Sequence, residues 1–290
     1  MNTVLFRTSE NDIRAAAAVL ADGGLVAFPT ETVYGLGADA FCPSAAEKAY
    51  AAKGRPSDNP LIVHIAKLED LKRLCPKDIA ELPLIKKLAD TFWPGPLTLV
   101  LPKLDCVPKE TTGGLDTVAV RMPKDDATLK LIEYSGTLVS GPSANKSGGP
   151  SPTSWEHVQK DLDGKIEGIL CGKACEGGIE STVLDLTPVC EGEDNPVLSI
   201  LRPGLITPEM ISAVTGLEVS YDPALLAKPK TDEEGNASQD PNFKPKAPGM
   251  KYKHYSPNAD VTLVVGDAKD IRVEELFKEK SKDKKGVCCN

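Results

Sequence analysis

Two cationic side chains lie one residue apart, at Lys53 and Arg55. The loop that follows contains Pro56 and Pro60, which restrict its backbone. Because Arg can bind a phosphate group with two parallel hydrogen bonds and Lys supplies a compact charge, this pattern favours a polyanionic ligand. The same cations are also typical of an ordinary helix C-terminus, where they interact favourably with the helix dipole. The pair alone leaves both interpretations open.

A second candidate segment, Ser140–Thr153, is rich in hydroxyl groups, small residues and backbone amides. It overlaps the end of an apolar strand candidate, and such a loop can approach a phosphate or an adenine closely. The sequence lacks the G-x-x-x-x-G-K-[ST] pattern, so a P-loop nucleotide site is not predicted. An ordinary flexible loop of Ser, Pro and Gly is the alternative interpretation.

A third segment, Pro29–Ala38, places polar residues and two glycines directly after another apolar strand candidate. Ligands usually bind at such strand ends in open α/β sheets. Gly35, Gly37 and Ala40 match the G-x-G-x-x-A spacing of dinucleotide-binding loops. No clean βαβ unit surrounds these residues, so a nicotinamide or flavin site is not favoured.

Three strand candidates place polar residues on defined faces. Thr117 and Arg121 share a face in one strand, and an Arg that ends such a strand is positioned for a carboxylate. Ser181 opens another strand, where its hydroxyl can bind a ligand. His64 alternates with Ile62 on one face of a third strand, although a lone strand His is more often a satisfied core residue.

The combined inventory consists of cations, hydroxyls and backbone amides. No Ser-His-Asp order, pair of acid–base carboxylates or metal-ligand cluster stands out. This inventory fits adenylyl transfer, in which positioning and charge stabilisation do most of the work and no protein nucleophile is needed.

Alternating helices and strands must position these residues. A helix is predicted from Ser9 through Leu20, and the capping-box spacing of Ser44 and Glu47 predicts another over residues 45–52. The remaining helices are predicted at 68–74, 79–92, 126–134, 155–162 and 208–214. The strands are predicted at 25–28, 61–65, 97–101, 117–121, 137–140, 181–186 and 198–202. This alternation indicates an α/β domain whose sheet need not be all parallel.

Bulk composition limits the functional classes. The net charge of −8 argues against a general basic face for nucleic acid, although a weak tRNA contact stays compatible with it. The eight cysteines are irregularly spaced and contain no C-x-x-C pair, which favours reduced thiols in the cytosol. No apolar run approaches the roughly 20 residues of a membrane span. We therefore expect a cytoplasmic protein without a membrane partner.

The chain is long enough for one large domain and part of another, since it has 290 residues. We predict a catalytic domain at 1–218 and, where composition becomes polar, a linker at 219–258 that reaches back to the site. Residues 259–290 are predicted to begin a small α/β domain, with a strand at 261–265 and a helix at 270–280. About 30 residues cannot form a core alone, so this second domain is expected to be incomplete.

Several motifs together resemble the YrdC-like threonylcarbamoyl-AMP synthase family. They are Pro29–Gly37, Lys53–Ile65, Val118–Pro123, Ser143–Thr153, Gly178–Leu186 and Leu201–Gly204. The segment Ala247–Pro257 resembles the linker of the long, two-domain form of this family. The resemblance implies an open, twisted mixed α/β sheet with flanking helices and a deep, positively charged cavity.

The resemblance also implies roles for individual residues. The catalytic K-x-R and S-x-N site would consist of Lys53, Arg55, Ser143 and Asn145. The threonine pocket would contain Thr32, His64, Arg121, Gly141 and Ser181. The ATP contacts would be Arg55, Asn59, Thr117, Ser143, Ser151, Arg202 and Tyr255.

The implied enzyme is a nucleotidyltransferase that makes L-threonylcarbamoyl-AMP and pyrophosphate from ATP, L-threonine and bicarbonate. Mg²⁺ would accompany ATP, and no protein metal site is expected. The product would pass to a separate transferase that modifies an adenosine of certain tRNAs.

Three other functions are compatible with parts of the sequence. A non-catalytic module that binds RNA or nucleotides is disfavoured by the acidic total and by an aromatic content of 5%. A carbamoyl-transfer domain like those of hydrogenase maturation enzymes shares the YrdC fold, but the zinc-finger-like and acylphosphatase-like segments that accompany it are not found. A cofactor-binding oxidoreductase would depend on the weak glycine pattern.

Overall fold

The computed structural model describes residues 2–226, together with 230–231 and 237–238. They belong to the first of two units into which the chain divides, Met1–Tyr255 and Ser256–Asn290. The predicted second-domain strand and helix, and Tyr255, lie outside the described residues. The domain boundaries at 218 and 258 therefore stay predictions.

A mixed sheet of eleven strands forms the centre of the described part. Its strands are β1 (Val4–Phe6), β2 (Val26–Phe28), β3 (Gly35–Asp39), β4 (Ile62–His64), β5 (Leu97–Pro102), β6 (Thr117–Arg121), β7 (Val139–Gly141), β8 (Gly168–Leu170), β9 (Thr182–Asp185), β10 (Leu198–Arg202) and β11 (Val219–Tyr221). Their order is β1-β8-β2-β3-β7-β4-β6-β5-β9-β10-β11. The neighbours β1–β8, β8–β2, β4–β6, β5–β9 and β10–β11 are parallel, and the other neighbours are antiparallel. The mixed α/β sheet is thus confirmed.

Helices flank this sheet. They are α1 (Glu10–Ala21), α2 (Pro43–Lys53), α3 (Lys77–Ala80), α4 (Pro83–Phe92), α5 (Lys109–Thr112), α6 (Asp126–Ser135), α7 (Trp155–Leu162), α8 (Thr187–Cys190), α9 (Pro208–Thr215) and α10 (Pro223–Leu226), with a 3₁₀ helix at Leu68–Arg73. The predicted helix start at Ser9 is confirmed, and Ser9 caps α1 because its hydroxyl accepts a hydrogen bond from the Asp12 amide. None of the helices in residues 2–226 has the length and apolarity that a membrane crossing requires.

Two helix predictions are wrong in detail. The predicted Ser44 capping box does not form, because α2 begins at Pro43 with Cys42 as its N-cap. Proline suits the first helical position, where its missing N–H would have no partner. The predicted helix at 79–92 is two helices, and Pro83 begins the second.

The central strands present two different faces. Val63, Val118 and Val120 belong to the main core, which includes residues of α1, α4 and α6. The alternate positions Ile62 and Ala119 belong to a small separate cluster on the opposite face. Because side chains alternate along a strand, His64 and Arg121 share this second face. The face away from the main core therefore carries the predicted site residues.

Candidate active site

A cavity of about 60 Å³ lies against this second face, and we call it the inner cavity. Strand pairing assembles it, since His64 is in register with Arg121 and Ile62 is in register with Gly141. Its lining residues are Thr30, Val33, Tyr34, Gly35, Arg55, Ile62, His64, Arg121, Gly141, Pro142, Ser143, Glu180 and Arg202. Predicted site residues from four distant segments thus meet in one cavity.

Arg121 ends β6 and is buried, with 4% of its side chain exposed. Its Nη2 lies 2.7 Å from Oε1 of Glu31. Its Nε donates a hydrogen bond to the carbonyl of Gly95 at 3.2 Å. Arg121 lines the cavity, where it was predicted to contact threonine. Glu31 was not predicted, because the two residues are far apart in the chain and only the fold brings them together.

His64 is buried and lies edge-on to the Phe28 ring, with 5.1 Å between ring centroids. Burial, assisted by the positive charge of Arg121, lowers the pKa of His64 to about 3. The imidazole is therefore neutral at physiological pH. Its Nδ1 lies 3.3 Å from the carbonyl of Val139. This nitrogen is therefore assigned the proton, and it donates a hydrogen bond to that carbonyl. Nε2 is then an acceptor, and His64 is both a buried core residue and part of the cavity wall.

Arg55 lies just after α2, where Gly54 adopts a left-handed conformation with φ of 62° and ends the helix. The Arg55 guanidinium donates hydrogen bonds to the carbonyls of Asn59 and Pro60 at 3.2–3.4 Å. These bonds hold the side chain across its own loop while it lines the inner cavity. Asn59 is buried, and its Oδ1 has no hydrogen-bond partner among the described residues.

Lys53, Ser143 and Asn145 form a compact cluster, as the K-x-R and S-x-N motifs predicted. The Lys53 ammonium donates hydrogen bonds to the carbonyls of Ser143 and Asn145, and it lies 3.3 Å from Oδ1 of Asn145. The Ser143 hydroxyl donates to the same Oδ1 at 2.6 Å. Burial, followed by the charge of Arg55, lowers the pKa of Lys53. The three acceptors nevertheless favour the ammonium, because a neutral amine has only two N–H groups.

This cluster changes the predicted role of Lys53. Its ammonium donates hydrogen bonds to acceptors within the protein, and neither Lys53 nor Asn145 lines the inner cavity. Of the three, Ser143 alone reaches the cavity wall. The geometry favours Lys53 as a clamp on the loop after β7 over a direct contact with phosphate.

Ser181 and Thr32 were predicted to contact threonine, but both are fully buried behind the cavity wall. The Ser181 hydroxyl lies 2.8 Å from that of Thr98 and accepts a hydrogen bond from Nη2 of Arg202. The Thr32 hydroxyl lies 2.9 Å from that of Thr30. Thr30, which sequence analysis did not select, lines the cavity instead.

The glycines near the cavity serve close packing. A Cβ at Gly141 would lie 2.6 Å from the carbonyl oxygen of Leu36, so only glycine fits this wall position. A Cβ at Gly35 would lie 2.5 Å from the Phe28 ring. Gly35 and Gly37 lie within β3 and contribute to an antiparallel pair with β2. They do not form a dinucleotide-binding turn at a helix N-terminus, which excludes the nicotinamide or flavin interpretation of this pattern.

A larger cavity of about 610 Å³ adjoins the first, and we call it the outer cavity. It shares Glu180 and Arg202 with the inner cavity. The predicted ATP contact Ser151 lines it and donates a hydrogen bond to Oε1 of Glu180 at 2.6 Å. The other lining residues are Pro150, Gly178, Ile179, Pro203, Gly204 and Leu225. Glu180 directly precedes Ser181 in the sequence, but it was not predicted.

Three predicted ATP contacts are not placed in these cavities. Asn59 is buried beside Arg55 and lines neither of them. Thr117 is half-buried at the start of β6 and does not line either of them. Tyr255 lies outside the described residues. Among residues 2–226, no group of three or more His, Cys, Asp or Glu could hold a metal ion.

The comparisons with known proteins agree with this architecture. A family model described as telomere recombination, for Sua5, YciO and YrdC, matches residues 18–204. A second model, described as the C-terminal domain of threonylcarbamoyl-AMP synthase, matches residues 206–290.

Individual relatives are similar over most of the chain. The threonylcarbamoyl-AMP synthase of Pyrococcus abyssi is 51% identical, over 95% of this chain and 76% of the relative. That of Bacillus subtilis is 48% identical, over 94% of this chain and 71% of the relative. The crystal structure of P. abyssi Sua5 complexed with L-threonine has a TM-score of 0.81 and 46% identity, over 98% of this chain and 78% of that one. The chain therefore belongs to the YrdC-like threonylcarbamoyl-AMP synthase family, as its motifs predicted.

Proposed function

We propose that the inner cavity binds L-threonine and the outer cavity binds ATP, and that bicarbonate supplies the carbamoyl group of L-threonylcarbamoyl-AMP. The observation that carries this proposal is the pairing of a buried cation with a neutral imidazole in the inner cavity. Arg121 supplies the cation and His64 the imidazole. A carboxylate and a hydroxyl on one small molecule match these two groups.

Threonine fits the inner cavity by its functional groups. Its carboxylate binds Arg121, and its hydroxyl donates to Nε2 of His64. Gly141 and Thr30 line the same cavity. Thr32 and Ser181 then act by holding Thr30 and Arg202, respectively. L-threonine in the P. abyssi Sua5 structure supports this choice of substrate.

ATP fits the outer cavity and the boundary between the two. Arg202 lines both cavities, and Ser151 lies in the outer one. Arg55 reaches the inner cavity from the side of α2, so it lies where a triphosphate and an amino acid would meet.

The reaction needs two steps. Bicarbonate loses hydroxide to give CO₂, the neutral amine of threonine attacks its carbon to form a carbamate, and the proton released from the nitrogen combines with the hydroxide to give water. A carbamate oxygen then attacks the α-phosphorus of ATP, and the bond to pyrophosphate breaks. Arg55 stabilises the developing phosphate charge, while Arg121 holds the carboxylate away from the reacting centre. Lys53 keeps the Ser143 segment in place.

Mg²⁺ fits this site as the partner of ATP, because Mg²⁺ is usually held by substrate phosphates and one or two carboxylates. Glu180, at the boundary of both cavities, is the carboxylate suited to this contact. The ion would offset phosphate charge when bound. The product would then pass to a tRNA-modifying transferase in the cytosol.

The decisive experiment measures pyrophosphate release from ATP with L-threonine and bicarbonate added singly and together. Release that requires both supports carbamoyl-adenylate formation. Release with threonine alone in bicarbonate-free buffer contradicts the carbamate step. If no condition gives release, direct titrations with threonine and ATP separate an inactive synthase, which binds both, from a protein of another function.

A further inference from the structure

Glu31 forms a buried ion pair with the cation of the inner cavity, and no role in the reaction has been assigned to it above. Its Oε1 lies 2.7 Å from Nη2 of Arg121, and the two side chains are 12% and 4% exposed. Removal of one partner from such a buried pair leaves an uncompensated charge. The contact with Glu31 therefore strongly affects the orientation of the Arg121 guanidinium.

The carboxylate of Glu31 is itself fixed. Its Oε2 accepts a hydrogen bond from the amide of Lys124 at 2.9 Å. Its backbone carbonyl accepts one from the amide of Gly177 at 2.8 Å. The preceding Thr30 stiffens the same loop, because its hydroxyl donates to the carbonyl of Val33 at 2.7 Å. Glu31 is therefore a rigid anchor, held by segments on three sides.

The anchor constrains Arg121 in a defined way. Nη2 forms an ion pair with Glu31 without a hydrogen bond, and Nε donates a hydrogen bond to the carbonyl of Gly95, so two of the three guanidinium nitrogens have protein partners. Within the described residues, Nη1 has none, while Arg121 lines the inner cavity. Glu31 itself lines a different cavity of about 710 Å³, so the ion pair separates the two spaces. A planar guanidinium held at two nitrogens presents the third in one orientation.

We infer that Glu31 is a positioning residue that orients Arg121 so that its Nη1 side receives the carboxylate of the amino-acid substrate. This inference rests on the proposed binding of threonine in the inner cavity. Without Glu31, the guanidinium can rotate about its remaining contact with Gly95, and the carboxylate loses its preformed partner. The loss of binding affinity should be specific to ligands that carry a carboxylate.

The test compares L-threonine with L-threoninamide, which lacks the carboxylate charge, by isothermal titration calorimetry. A non-hydrolysable ATP analogue is titrated in parallel. The variant is Glu31→Gln, which removes the charge and keeps the side-chain shape. The matched control is Glu81→Gln, which breaks the exposed Lys72–Glu81 pair, whose side chains are 49% and 48% exposed.

We expect Glu31→Gln to weaken L-threonine binding at least about tenfold, while threoninamide and the ATP analogue change less than about threefold. Glu81→Gln should bind all three ligands like the original protein. Unchanged or tighter threonine binding by Glu31→Gln overturns the inference. An equal loss for threonine and threoninamide overturns it as well, because a merely structural role would weaken both.

Failure of the proposed function has a different signature. If the original protein does not prefer threonine to threoninamide, the assignment of Arg121 to the substrate carboxylate is wrong, and this inference fails with it. Should Glu31→Gln not fold, Glu31→Asp retains the charge with a shorter reach and takes its place with the same expected order of ligand effects. If neither variant folds, Glu31 is a structural residue and the inference is overturned.

Discussion

Arg55, His64 and Arg121 share one small cavity, but each is held differently. Arg121 is fixed by Glu31 and the carbonyl of Gly95, whereas Arg55 is held across its own loop. His64 is kept neutral by burial beside a cation. Cations that are oriented before the substrate arrives lose less free energy on binding, which is the physical basis for charge stabilisation in this site.

Substitution of Arg55 tests the charge-stabilising role. Arg55→Ala should lower pyrophosphate release roughly 100-fold or more, because a preorganised donor at a developing charge contributes this much. Circular dichroism should show an intact fold, since Arg55 is a half-buried loop residue. The exposed Arg7→Ala serves as the control with unchanged turnover. Near-normal release from Arg55→Ala would remove Arg55 from the mechanism.

Substitution of His64 tests its neutral state. The pKa of His64 in the folded protein is about 3, below its ordinary value of 6.5. Between these values the unfolded chain binds a proton that the folded protein does not, so the contribution to stability is full above pH 6.5 and is lost as pH falls towards 3. The slope is at most about 1.4 kcal/mol per pH unit.

We therefore expect His64→Gln to have a shallower pH dependence of its unfolding free energy, measured by urea denaturation from neutral to mildly acidic pH. The exposed His157→Gln serves as the matched control for loss of a histidine. Parallel slopes for His64→Gln and the original protein would show that His64 titrates normally in the folded state.

Most cationic and hydroxyl site residues could be predicted from the sequence because they lie in dense local motifs. Their exact roles could not. The acceptors of Lys53 lie about 90 positions away in the chain, at Ser143 and Asn145. Only tertiary packing therefore shows that the Lys53 ammonium binds these carbonyls and does not line the cavity. The carboxylates Glu31 and Glu180 were missed for the same reason, since each acts through a partner that only the sheet brings near.

At the level of elements, α2 and the loop after β7 are joined by Lys53. If Lys53 acts as a clamp, Lys53→Met should lower the unfolding free energy by about 1–3 kcal/mol, because buried carbonyl oxygens lose their donor. Urea denaturation measures this change. Lys48→Met, on the exposed side of the same helix, removes one bond to the carbonyl of Gly23 and should change stability by less than about 0.5 kcal/mol. A stable but inactive Lys53→Met would favour a direct chemical role instead.

Strands that were predicted correctly are apolar runs, and Thr117–Arg121 and Leu198–Arg202 match to the residue. The strand β3 was not predicted, because its glycines are typical of loops. It is a strand because Gly35 leaves room for the ring of Phe28 on the neighbouring strand. β1, β8 and β11 were also missed, because these three-residue strands do not lie in longer apolar runs as β2 and β4 do.

For the whole molecule, the net charge of −8 is compatible with handing a small product to another enzyme. We expect unmodified tRNA to bind with a dissociation constant weaker than roughly 10 µM at 150 mM salt, in the range of non-specific contacts. Fluorescence anisotropy of labelled tRNA, with single-stranded DNA of equal length as the control, measures this affinity. Binding tighter than micromolar without ATP turnover would instead favour the RNA-binding module.

The strand order has a consequence for how the protein is made. The cavity walls come from segments between Thr30 and Arg202, and the sheet places early strands beside late ones. A ribosome that adds about 5–20 residues per second needs roughly 7–30 s to pass from Lys53 to Arg202. Lys53 lacks its carbonyl acceptors until Ser143 and Asn145 are added, and the wall residue Arg202 is added only at the end of that interval. Nascent chains should therefore be unable to bind ATP or threonine in a complete site until Arg202 has been added, and substrate could stabilise the protein only after that point.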